Sequence, residues 1–157
     1  MLGRRKDETW DGTERRGPAV VMIVNDDPDA CEMLVRMVGA RGYRVIGAHT
    51  VEDATGHLTR DLPRCVVLDI DTGGIGTNLK VLDTIRSHDD KRVSTARVVL
   101  CAASPRNRSF SFQSGADSFM TRPFHIDELV AQIADVLGRA NDDRARHRRD
   151  ELARHGD

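Results

Sequence analysis

Residues 65–74 read Cys65-Val66-Val67-Leu68-Asp69-Ile70-Asp71-Thr72-Gly73-Gly74, an apolar run that ends in two carboxylates and a glycine turn. Apolar residues without alternation suit a strand covered on both faces, as in a parallel sheet with helices on either side. Ligands of open α/β sheets sit just beyond the carboxyl ends of such strands, so Asp69 is the first residue to suspect of chemistry. An aspartate at a strand end is also a good turn former, and alone it would carry little weight. A second acidic strand end changes that balance, because the apolar residues 19–24 run directly into Asn25-Asp26-Asp27-Pro28.

Outward from these two strands the chain alternates. Asp27 is a good N-cap with Pro28 at the first helical position, and Met33, Leu34, Met37 and Val38 then share a helical face until Gly42. Residues 43–48 make a short strand, and Thr50-x-x-Asp53 resembles a capping box for a helix carrying Ala54 and Leu58. Leu79, Leu82 and Ile85 recur at helical spacing, and Val98-Val99-Leu100-Cys101 is a fourth strand. Ser104-Pro105 opens a polar helix over residues 106–114. Ser118-Phe119-Met120 is a fifth strand, and Ile126, Leu129, Val130, Ile133 and Leu137 form an amphipathic face closed by Gly138. Strand and helix in alternation imply an α/β fold: a five-stranded parallel sheet with helices on both faces, joined by right-handed crossovers. One sheet edge then collects Asn25, Asp26, Asp27, Asp69, Asp71, residues 102–104, Thr121 and Arg122.

A length of 157 residues, 39% of them apolar, suits one domain. With 24 Lys plus Arg against 25 Asp plus Glu, charge gives no case for wholesale binding to nucleic acid or an anionic membrane. Cys31, Cys65 and Cys101 lie far apart in apolar stretches and fit a reducing cytoplasm. Residues 1–17 carry neither a secretory signal nor a span, and the run at 19–24 is too short to cross a bilayer. Residues 1–18 are expected to be a mobile charged arm, 19–138 the folded domain, and 139–157 a charged, solvated tail, either a helical extension or disordered. Arg144, Arg146, Arg148 and Arg149 are candidates for DNA contact, but interleaved acids blunt their field.

Three blocks in order, Val24-Asn25-Asp26, Val66-Val67-Leu68-Asp69 and Gly115-Ala116-Asp117-Ser118-Phe119-Met120-Thr121-Arg122-Pro123-Phe124, resemble the receiver domain of two-component response regulators. The resemblance spans residues 19–138 and implies the (βα)5 flavodoxin-like, doubly wound fold. It implies Asp69 as phosphoacceptor, with Asn25, Asp26 and Asp27 as the acidic pocket. A carboxylate attacking a phosphoryl group builds charge on the equatorial oxygens, which a divalent and a protein cation must neutralise. Mg2+ would take oxygen from Asp26, Asp69 and the carbonyl of Asp71, and Arg122 would be the phosphate-contacting cation. The implied partners are a histidine kinase or phosphotransfer protein and a downstream protein target, and the resemblance allows a homodimer through the face of the fourth and fifth helices. It describes a stand-alone cytoplasmic signalling module, not an enzyme.

Four departures fall on the active edge. Asn25 replaces an acid of the pair, so Mg2+ should bind weakly. Arg122 stands where the family has Lys, and it is expected to lie across the strand ends as a counter-charge to Asp69. The switch hydroxyl of the fourth strand is replaced by Cys101 or Ala102, unless Ser104 substitutes; Phe119 keeps the aromatic switch position. The turn at residues 71–76 is glycine-rich and longer than usual. Two rivals remain: a receiver-like module that signals without phosphorylation, and a haloacid-dehalogenase-like phosphatase suggested by Asp69-Ile70-Asp71-Thr72. That phosphatase family starts its fold on the motif strand and needs a downstream Lys and an acidic pair, both missing from the later strand ends.

Overall fold

The structure, a computed structural model, describes residues 19–70 and 75–154, with only the backbone at 75–77. The expected arm and the turn at Asp71 lie outside the described residues. Strands β1 (Val20–Val24), β2 (Arg44–Ala48), β3 (Cys65–Asp69), β4 (Arg97–Ala102) and β5 (Ser118–Thr121) form one parallel sheet in the order β2-β1-β3-β4-β5. The order reverses between β1 and β3, and this places a crevice between the carboxyl ends of those two strands, at Asn25 and Asp69.

Helices α1 (Pro28–Gly39) and α6 (Ile126–Leu137) cover one face, where Val21, Ile23, Cys65, Val67, Val99 and Cys101 pack against Cys31, Val38, Leu129 and Ile133. Helices α2 (Val51–Arg60), α3 (Ile75–Arg86), the single turn α4 (Lys91–Ser94) and α5 (Arg108–Gln113) cover the other, over Met22, Val24, Val66, Leu68, Val98 and Leu100. Two covered faces explain why the central strands read as unbroken apolar runs. Local chemistry starts the helices: Asp27 accepts from the Asp29 amide at 3.1 Å, Thr50 from Asp53 at 3.0 Å, and Ser104 from Arg106 at 3.1 Å.

One expectation needs correction. Met33 and Met37 are 56% and 37% exposed, and α1 turns Cys31, Leu34, Val35 and Val38 inward instead. The phase is set by Gly47 on β2: a Cβ there would lie 3.0 Å from the Cys31 sulfur and 3.2 Å from Val35, so the missing side chain admits the helix. Over its described residues the tail takes the helical alternative, with part of its charge buried. Residues Asn141–Arg154 form helix α7, which packs along α5 and buries Arg144 and Glu151.

Candidate functional site

The end of β3 holds Asp69 at 7% exposure beside Asn25 at 3%. Arg122, delivered by β5 and followed by a cis bond to Pro123, donates from Nη1 to Asp69 Oδ2. Its own amide is fixed by the Ala102 carbonyl at 2.8 Å. Asn25 Nδ2 approaches the same Asp69 oxygen at 3.4 Å, while Asn25 Oδ1 accepts from the Asp27 amide at 2.9 Å. The backbone carbonyl of Asp69 accepts from Asn78 Nδ2 on α3. Arg122 thus lies across the strand ends on the Asp69 carboxylate, and Asn25 faces the same oxygen.

Asp26 and Asp27 are exposed at the start of α1, and Asp27 caps that helix. Asp26 and Asp69 offer the hard carboxylate oxygens that Mg2+ takes, and Asn25 adds a neutral amide in place of a third charge. Among the described residues no three His, Cys, Asp or Glu side chains form a metal-binding group. This donor set fits a hydrated, weakly held divalent cation and nothing that needs a full protein cage.

The three candidates for the switch hydroxyl separate. Cys101 is the register partner of Asp69. Burial, with the Asp69 charge adding to it, pushes the Cys101 thiol up to about 12, so it stays protonated and is a poor redox sensor. Ala102 belongs to the opposite core cluster, on the Phe119 side. Ser104 uses its oxygen as a helix cap. Phe119 is packed inward, and the Arg108 guanidinium sits 5.4 Å from the Phe112 ring centre and 6.0 Å from that of Phe119. Between α1 and α6 a mostly apolar cavity of about 380 Å³ adjoins Asp69, lined by Met33, Leu34, Met37, Val67, Cys101 and Phe124 among others. The two methionines face this space and not the core.

Sequence reasoning missed Asn78, for which a lone Asn beside Leu79 gave no signal. It also missed Asp117, quoted above within a motif but given no role. Asp117 is fully buried and accepts from Arg144 at 2.7 and 3.0 Å, Arg86 at 3.0 Å, Arg148 at 3.3 Å and the Val98 amide at 2.9 Å. Burial alone would raise its pKa, but Arg144 and Arg86 outweigh burial and hold it below the ordinary carboxylate value. This cluster lies at the amino-terminal ends of β4 and β5, opposite Asp69.

A family model described as response regulator receiver domain matches residues 21–134. The transcriptional regulatory protein TrcR of Mycobacterium tuberculosis is 31% identical over 125 residues, which cover 79% of this chain and 47% of TrcR. The chain therefore spans about half the length of the curated relatives it matches. Among solved structures, a putative response regulator from Chloroflexus aurantiacus superposes with a TM-score of 0.70 at 26% identity, covering 78% of this chain and all of that one. The response regulator TrrA from Thermotoga maritima, in complex with Mg2+-BeF, gives 0.64 at 28% identity over 75% of this chain and 98% of TrrA. Sheet order, the acidic strand ends and these similarities converge: the chain belongs to the response regulator receiver domain family.

Proposed function

We propose that the protein is a phosphorelay receiver that accepts a phosphoryl group on Asp69 from a histidine kinase or phosphotransfer protein and signals by docking to a downstream protein. The observation that carries this reading is Asp69 itself, which ends β3 at the switch point of the sheet with a guanidinium already on its carboxylate. In the transfer, an Asp69 oxygen attacks phosphorus, the new P–O bond forms as the P–N bond to histidine breaks, and the ring nitrogen leaves with the electron pair. Arg122 must move from the carboxylate oxygen to the incoming phosphoryl oxygens, where it offsets the charge that spreads there. Asn25 donates to the nucleophile and so orients it. Asp26 and Asp69 would hold Mg2+, with the Asp71 carbonyl as third protein donor, and the ion would supply further neutralisation of phosphoryl charge.

The relatives' names speak of transcription, but only part of the arginine set on α7 is open to solvent, at Arg146, Arg149 and Arg154. Arg144 and Arg148 point into the protein at Asp117, and Arg146 pairs with Asp143. Among the described residues no helix is long and apolar enough to cross a membrane. The second reading, signalling without phosphorylation, draws on the neutral Asn25 and on the absence of a hydroxyl at Cys101 and Ala102. Incubation with acetyl phosphate and Mg2+ separates the two. A hydroxylamine-labile gain of one phosphoryl group, lost in Asp69→Asn, supports the relay; a wild-type protein that is never labelled at saturating donor and Mg2+ supports the second.

A further inference from the structure

Helices α1 and α6 cover the same face of the sheet and pack closely together, yet toward the carboxyl ends of the strands they leave open the cavity of about 380 Å³ that adjoins Asp69. Its floor is the sheet itself, since Ile23, Val67 and Cys101, only 1%, 2% and 3% exposed, all line it. Its outer wall is built from Met33 and Met37 of α1 and from Phe124. With Phe110, these two methionines are the large apolar side chains most open to solvent among the described residues. Small-molecule sites run from about 300 to 1,000 Å³, with mainly apolar walls and a few polar groups that fix orientation. An α-helix with its side chains is about 10–12 Å across, too wide for a slot between two neighbouring helices, whereas a flat ring fits. Methionine, flexible and polarisable, adapts to what it packs against.

The inner end of the slot carries a surplus of negative charge. Two carboxylates line it, Asp27 and Asp69, against one guanidinium, Arg122, which is already engaged with Asp69. Asp27 takes up the amides of Asp29 and Ala30, so the start of α1 holds out little to an anion. Asp26 beside it is exposed and has the same sign. Further along α1 the charges cancel, with Arg36 on Glu32 and Arg41 on Asp127. We propose that this slot is a binding site for a small amphiphilic amine, its flat apolar body held between the two methionines and the sheet and its ammonium turned toward Asp27 and Asp69. Such an occupant stands in the approach to Asp69 and competes there with other cations. That consequence for signalling rests on the relay reading, but the binding itself does not.

The test takes the full chain with isotope-labelled methionine methyls and three near-isosteric probes, 1-naphthylmethylammonium, 1-naphthylmethanol and 1-naphthoate, with neither Mg2+ nor a phosphoryl donor present. The amine should shift the methyl signals of Met33 and Met37 and leave that of Met22, sealed in the opposite core, in place. Its dissociation constant should be on the order of 1 mM or below, which about a dozen well-packed atoms can supply. The alcohol should bind several-fold more weakly and the carboxylate at least about tenfold more weakly. Asp27→Asn, which retains a capping side chain, should cut the preference for amine over carboxylate several-fold, and Met33→Gln, followed at Met37, should weaken all three probes. A carboxylate bound as tightly as the amine overturns the charge class. Unmoved Met33 and Met37 signals at about ten times the expected constant, or equal shifts at Met22, overturn the site. Because no phosphoryl group is transferred, a failed relay leaves a positive result standing, and a failed site leaves the relay untouched.

Discussion

Replacing Asn25 by aspartate puts a second carboxylate against the first. In the native protein Asn25 Nδ2 lies 3.4 Å from Asp69 Oδ2 and both residues are nearly sealed from solvent. Two unit charges at that separation repel by about 1 kcal/mol in bulk water and about 5 kcal/mol at an effective dielectric of about 20. Arg122 on the same Asp69 oxygen offsets part of this, while the lost amide donor adds roughly 1 kcal/mol. A net loss of about 2 kcal/mol is expected for the metal-free protein, which lowers the urea midpoint by about 1 M for a domain of this size. Magnesium reverses the sign of the argument. The added charge should tighten Mg2+ by about 1 kcal/mol, and a ligand that binds only the folded state stabilises it by RT ln(1 + L/Kd), with L the free concentration. The urea-midpoint deficit of Asn25→Asp should therefore shrink to about half as Mg2+ is raised to saturation at constant ionic strength. A deficit of the same size at every Mg2+ concentration refutes the reasoning, because Asn25 would then not share a site with the metal.

Arg122→Lys should speed labelling of Asp69 by acetyl phosphate several-fold, since a flexible ammonium leaves the carboxylate more readily than a planar fork; equal rates in the two proteins refute the clamp. The far half of α7 should loosen in acid. Burial, aided by Arg139, lowers the His147 pKa below its ordinary 6.5, while Glu151, Asp135 and Asp117 oppose the shift. A histidine kept neutral on folding withdraws stability as pH falls below that ordinary value. For Glu151 burial acts upward, but Arg108 outweighs it and holds the group below 4.5, so its contribution is present above 4.5 and lost as pH falls through the lower folded value. Hydrogen exchange at residues 147–154, corrected for intrinsic rates, should accelerate from pH 7.5 to about 5.5 and again below 4.5; a flat profile contradicts both assignments.

The strands were readable because burial on both faces removes alternation, so Val66-Val67-Leu68 and Val98-Val99-Leu100 announce themselves locally. The phase of α1 was not, because two apolar stripes overlap on it. Met33 and Met37 fit one and Cys31, Val35 and Val38 the other, and the choice is made by Gly47 on a different strand. Asp69, Asn25 and Arg122 were legible as strand ends, since topology alone brings strand ends together. Asn78 acts through one bond from a helix to the Asp69 carbonyl, and no spacing rule marks such a residue.

The tail shows where composition misleads. Interleaved Arg and Asp over residues 139–157 look like a solvated face, and a single buried carboxylate elsewhere, Asp117, is what recruits Arg144 and Arg148 from it. The two ends of the sheet now carry the same chemistry with opposite consequences. At Asp117, fully buried, three arginines and a backbone amide meet one carboxylate, and removing that carboxylate leaves the buried Arg144 without its counter-charge, which costs several kcal/mol in comparable sites. At Asp69 a guanidinium about a third exposed meets a nearly buried carboxylate beside an open cavity, so the guanidinium can pass to an incoming anion without either charge losing all its partners. Exchangeability separates the candidate site from the scaffold, and it follows from hydration and the number of partners rather than from the residue types, which are the same.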